Sequence, residues 1–174
     1  MHIDLIAARD AAVAQHDRIV SQYAHRHDAA FASALEPVIA ELERIISAAS
    51  AAKSDPVELS RTLRWLGDAY FDHGRFAGRS SWHAAANAYS RAEQLLQDGA
   101  APVEQAKLDF NFGNTLAQLS DGTDVKLLEA ADIRCPSGTT AVPPRDAVQP
   151  GVVAGCKRPR RRDLRAPRMG LHPR

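Results

Sequence analysis

Between Asp28 and Leu119 apolar residues return every three or four positions, and short turn signals cut that rhythm into helix-length pieces. A chain patterned this way buries its apolar stripes by laying helix against helix. The clearest stripe is Phe31, Leu35, Val38, Leu42, Ile45 and Ala49, widened by Ile39 and Ile46. It predicts a helix from Asp28 to Ala49. Pro37 interrupts it, and should either open a helix as its first residue or kink a longer one. An earlier helix, about Ile3 to His25, carries a weaker stripe through Ile6, Val13, Val20 and Ala24. The first 53 residues hold fifteen alanines and no glycine, which favours helix because alanine loses no side-chain entropy there.

Further along, Asp55 is placed to cap a helix whose first turn holds Pro56. Leu59, Leu63, Leu66 and Tyr70 line one face of it, and Gly74 and Gly78 are read as breaking the pattern. A second helix is expected from about Ser81 to Gln97, with Trp82, Ala85, Tyr89, Ala92 and Leu96 inward and Gly99 as its stop. Pro102 opens another, to about Leu119, through Leu108, Phe112 and Leu116. Asp121-Gly122 is a turn. A last stretch starts near Asp124, with Leu127, Leu128 and Ala131 apolar, and ends around Arg134.

Helix pairs with recurring small and aromatic residues invite a test for repeats. Leu66-Gly67 followed by Tyr70 matches the L-G-x-x-Y signature of the first tetratricopeptide helix. Ala85, Tyr89 and Ala92 match the A-x-x-x-F/Y-x-x-A signature of the second. Phe112-Gly113 with Leu116 repeats the first-helix pattern, and Asn111 to Leu116 is similar to the N-x-G-N-x-L form common in such arrays. The segment from about Leu59 to Ile133 therefore resembles tetratricopeptide-type hairpins, of the kind found in arrays beside caspase-like peptidase domains in bacterial proteins. Glycine and alanine at these places let a neighbouring helix approach, and the two tyrosines fill what remains. The match departs from the family in spacing: Gly67 and Gly113 lie 46 residues apart, against a usual repeat of about 34. The excess is assigned to the Tyr70–Ala85 turn and the Gly99–Pro102 connection.

The resemblance implies a binding face. Arg61, Arg64, Asp68 and Phe71 lie away from the Leu63–Leu66–Tyr70 face, and Lys107, Phe110, Asn114 and Ala117 take matching places around Gly113. In the resembled family that face lines a concave groove and contacts peptides. Arg61, Arg64, Asp68, Lys107, Phe110 and Asn114 are the expected peptide-binding residues. Arg61, Arg64 and Lys107 would make the groove basic and suited to an acidic peptide, with Asn114 bonding its backbone. The competing expectation is that these are ordinary solvated helix residues. An uncapped repeat face would also allow self-association.

Other chemistry finds little support. His25 and His27, two apart, point to different sides of a helix and make a poor metal site. Ser80, Ser81 and His83 are close in sequence but lack the G-x-S-x-G turn of a hydrolase. Cys135 and Cys156 form no C-x-x-C pair and lie in Pro/Gly-rich sequence. There is no phosphate-binding glycine loop. No cofactor, metal or catalytic activity is expected, and no peptidase residue carries over. No apolar run approaches the roughly 20 residues of a membrane span. The Met1-His2-Ile3-Asp4 start has no basic region followed by an apolar stretch, so a cytoplasmic location without membrane contact is expected.

Charge separates the chain into unlike parts. Residues 157–174 hold eight Lys/Arg and one Asp, a charge of +7, whereas residues 1–156 carry −6. The expected layout is an N-terminal helical segment (1–53), tetratricopeptide-like hairpins (54–134), and a disordered Pro/Arg-rich tail (135–174). Three readings of the tail stay open: the product of a shifted reading frame, a natural disordered tail, or a nucleic-acid- or anionic-surface-binding arm. The arm lacks interleaved aromatics for stacking on bases, which makes nucleic acid the least expected partner. Overall, the fold class is all-α, and the expected function is a non-catalytic peptide-binding scaffold or a fragment of a larger signalling enzyme.

Overall fold

A computed structural model describes residues 4–23, 29–96 and 101–120, together with residues 124, 126, 127, 129 and 130. The described residues are all-α. The helices are α1 (Leu5–Gln22), α2 (Ala29–Ala51), α3 (Pro56–Ala77), α4 (Arg79–Leu95) and α5 (Pro102–Ser120). Each packs on the next, and α3 also touches both α1 and α5. One continuous core runs from Ala12 in α1 to Leu116 in α5, crossing the change of composition near residue 53 without a gap. No helix among the described residues is long and apolar enough to cross a membrane.

Local chemistry sets the helix starts. Asp4 accepts from the backbone N–H groups of Ile6 and Ala7, both at 3.1 Å. Asp55 does the same for Val57 at 2.9 Å and Glu58 at 3.0 Å, with Pro56 in the first turn as expected. Such caps satisfy N–H groups that have no partner inside the helix. Asp124 caps in the same way, accepting from Lys126 and Leu127. Beyond this cap residues 126, 127, 129 and 130 are helical, and Leu127 and Ala130 pack on the core.

The α2 stripe is buried as the periodicity predicts, from Phe31 to Ala49. Pro37 neither starts nor ends this helix. It sits inside α2 with its ring exposed, and Ser33, whose carbonyl loses the usual partner, is exposed too. Water can then satisfy the orphaned carbonyl, which is why the helix continues.

Two expectations about α3 need correction. Gly74 does not break it; α3 continues to Ala77, and only Gly78 ends it. A β-carbon at Gly74 would strike the indole of Trp82, so this glycine admits a ring rather than stopping a helix. Gly78 has φ +96°, a conformation that side chains with a β-carbon resist. It is the whole connection between α3 and α4. The residues in excess of a standard hairpin therefore lengthen the helices instead of the turn.

The α1 stripe is corrected at Ile6, whereas Val20 packs on the core as expected and Ala24 lies outside the described residues. Ile6 is 51% exposed, and the buried residues of α1 are Arg9, Ala12, His16 and Ile19. The helix is rotated from its apolar face because two of its charged side chains find carboxylates on α3.

Aromatic contacts close the core. Tyr89 and Phe112 stand 5.8 Å apart and tilted by 35°, tying α4 to α5. Phe31 meets Phe76 edge-on at 5.5 Å and Tyr23 at 5.7 Å, tying α2 to α3 and to the end of α1. Such pairs add to the gain from burying the rings themselves.

Candidate binding face

The expected binding residues lie along α3 and α5, which are neighbours, but they differ in access. Arg61 and Lys107 are about one-third and one-quarter exposed at the side chain. Phe110 and Asn114 are half-buried. Phe71 and Ala117 pack partly against the core. Arg64 and Asp68 are buried, at 6% and 5% exposure, and so are not part of an open surface.

What buries them is a polar network between α3, α4 and α5. Asp68 accepts from the Tyr89 hydroxyl at 2.6 Å, the Asn111 amide at 2.7 Å and the Arg64 guanidinium at 2.9 Å. Three donors on one carboxylate is the arrangement an anion requires in a low-dielectric interior. Burial pushes the Asp68 carboxyl above its ordinary range, while Arg64 and the Tyr89 hydroxyl pull it back. The Tyr89 hydroxyl is raised well above its usual value by burial and by Asp68. Arg64 also lies over the Trp65 ring, 4.6 Å from its centre.

The face is not basic. Glu104 of α5 draws all three expected cations: Arg64 at 3.3 Å, Arg61 at 3.4 Å and Lys107 at 3.5 Å. Burial opposes the charge on Glu104, but Arg64, Lys107 and Arg61 hold its carboxyl below the usual range. Glu58 joins the chain of charges, pairing with Arg61 at 2.5 Å and with Arg9 of α1 at 2.5 Å. Arg9 in turn pairs with Asp10 at 2.8 Å. A belt of alternating charge thus runs over α1, α3 and α5.

Sequence reasoning missed Glu58, Glu104 and Arg9, and gave Asn111 a place in a motif but no partner. A signal for the first two existed: Glu58 stands three residues before Arg61, and Glu104 three before Lys107, spacings that pair on a helix. Nothing local pairs Arg9 with Glu58 or Asn111 with Asp68, since 49 and 43 residues separate them.

A second buried charge lies nearby. His16 is 1% exposed and meets Trp65 edge-on at 6.2 Å. Its Nε2 is 3.2 Å from Asp72 Oδ2, an ion-pair distance, yet off the line needed for a directed hydrogen bond. Its Nδ1 is 3.5 Å from Asp17 Oδ1. Burial disfavours the charged ring, but Asp17, Asp72 and the field of Asp68 outweigh it and raise its pKa to about 9.

Groups of three or more metal-type ligands are absent among the described residues. Ser81 is buried and bonds His73, with Oγ 2.9 Å from Nδ1, whereas Ser80 and His83 are exposed. This Ser–His contact joins the two sides of the Gly78 turn. The His25–His27 pair, Cys135, Cys156 and the basic tail lie outside the described residues. No family model, curated protein or solved structure matches the chain.

Proposed function

We propose that this chain is a non-catalytic binding module of tetratricopeptide type that presents the α1–α3–α5 face to a protein or peptide. The observation that carries the reading is the seat of Tyr89 on Gly67. A β-carbon at Gly67 would collide with the Tyr89 ring, so the glycine of one signature and the tyrosine of the other meet across the α3–α4 hairpin. The order of contacts, with α3 touching α1 and α5 besides its chain neighbours, suits stacked hairpins. The N-terminal pair α1–α2 then stands as a further unit, easing the shortage of repeats in so short an array.

The charge balance of the face alters the expected partner. Arg61 and Lys107 already share Glu104, so a ligand carboxylate has to compete with Glu104 for them. A partner carrying both signs of charge fits an alternating belt better than a purely acidic one. The test is binding of a mixed-charge peptide library to the full chain, before and after Arg61→Glu combined with Asn114→Ala. Both side chains are only half-buried, so circular dichroism should report an intact fold. Loss of the selected peptides is expected; unchanged affinity would remove the reading.

A second reading rests on the +7 charge of residues 157–174. It predicts DNA or RNA retention that falls steeply with salt and disappears on deletion of that segment.

A further inference from the structure

We propose that α1 is a helix latched by protonation: the buried imidazolium of His16 holds it on α3, and loss of that charge frees α1 while α2 to α5 stay folded. The geometry around the ring favours the charged form. Nδ1 faces Asp17 at 3.5 Å and Nε2 faces Asp72 at 3.2 Å. A neutral imidazole keeps one proton, so one of its two ring nitrogens then lies within 3.5 Å of a carboxylate oxygen with no proton between them. The deprotonated ring therefore loses one of its two attractions to carboxylate in this site.

Among the described residues the surroundings offer Asp72 one weak substitute cation, Arg75. On α3, the ion pairs of Asp72 among the described residues are with His16 and with Arg75 at 3.9 Å, and Asp68 is held by Arg64. On α1 itself, Arg9 is committed to Glu58 and Asp10. On α2, the charged residues Glu36, Glu41, Glu43 and Arg44 lie on its exposed or half-buried side, where Arg44 pairs with Glu41 and Tyr70 with Glu43. Removing the proton leaves buried carboxylate poorly compensated at the α1–α3 contact.

α1 is also the helix least fixed by apolar contact. Of its four buried residues, only Ala12 and Ile19 are apolar, against nine apolar residues in α2. Besides its packing on α2, where Tyr23 meets Phe31, the remaining tie of α1 to α3 is the Arg9–Glu58 pair, which is partly open to solvent on the Glu58 side and holds little by itself. With the ring's pKa near 9 when docked and near 6.5 when free, docking should weaken by roughly a few hundred-fold at most once the proton is gone.

Hydrogen exchange of the full chain tests this, comparing amides of α1 with those of α4 at pH 7 and pH 10 after correction for the intrinsic pH dependence of exchange. Protection of α1 should fall by tens-fold while α4 keeps its own. In Asp72→Asn the loss should begin at lower pH, and in His16→Gln it should be present at pH 7. If His16→Gln does not fold, the native chain and Asp72→Asn decide alone. Retained α1 protection at pH 10, or parallel loss in α1 and α4, overturns the proposal.

Discussion

The phenol ring of Tyr89 occupies the space in which a side chain on Gly67 would lie. Both residues are buried, one in each helix of the α3–α4 hairpin, and the Tyr89 hydroxyl reaches on to Asp68, next to Gly67 in sequence. One side chain thus fixes both the approach of two helices and the orientation of a buried carboxylate.

Gly67→Ala should therefore destabilise the fold despite the better helix propensity of alanine. Overpacking costs about 1–3 kcal/mol and propensity returns about 1 kcal/mol. A net loss of about 1–2 kcal/mol is expected in urea unfolding. Gly74→Ala should behave likewise through Trp82. A gain in stability at either position would contradict the packing.

Arg64 and Arg61 should separate sharply although they lie one turn apart. Arg64→Ala leaves buried Asp68 without its cation, with only the neutral donors Tyr89 and Asn111, and removes a tie to Glu104, which should cost about 3 kcal/mol. Arg61→Ala removes two partly exposed ion pairs, with Glu58 and Glu104, and should cost about 1 kcal/mol. Equal losses in chemical denaturation would mean that the two arginines are alike in burial.

Glu104 should govern part of the acid response. Its folded-state carboxyl is held below 4.5, so its stabilising contribution is present above that value and fades as pH falls through the folded-state pKa. Glu104→Gln should destabilise at pH 7 and differ less from the native chain at pH 3. Urea midpoints at the two pH values check this; a gap that widens in acid would be the wrong sign.

Pro37→Ala should stabilise α2. The substitution restores a backbone bond to Ser33 at an exposed site, opposed by the greater freedom of the unfolded chain. A net gain of about 1–2 kcal/mol is expected from thermal or urea unfolding.

These sites also mark where sequence was and was not a guide. The α2 stripe and the Asp55 cap were legible because each depends on residues a few positions apart. Gly67 was legible because its partner, Tyr89, belongs to a recurring pattern. Gly74 was not: a glycine in a helix reads as a break until Trp82 is seen resting on it. Arg64 and Asp68 looked solvated from their own helix, because their burial is decided by Glu104, Asn111 and Tyr89 on other elements. His16 was passed over for the same reason. It lies off the apolar stripe of α1, and only Asp72, on another helix, gives it a place in the interior.

The single-residue link at Gly78 has a consequence for the order of assembly. Closing a loop this short costs little chain entropy, and the contacts it brings together are near in sequence. The α3–α4 hairpin is therefore the natural nucleus, with α2 and α5 added on either side and α1 last. Substitutions at Ala85 or Tyr89 should slow refolding, whereas those at Ala12 or Ile19 should chiefly speed unfolding.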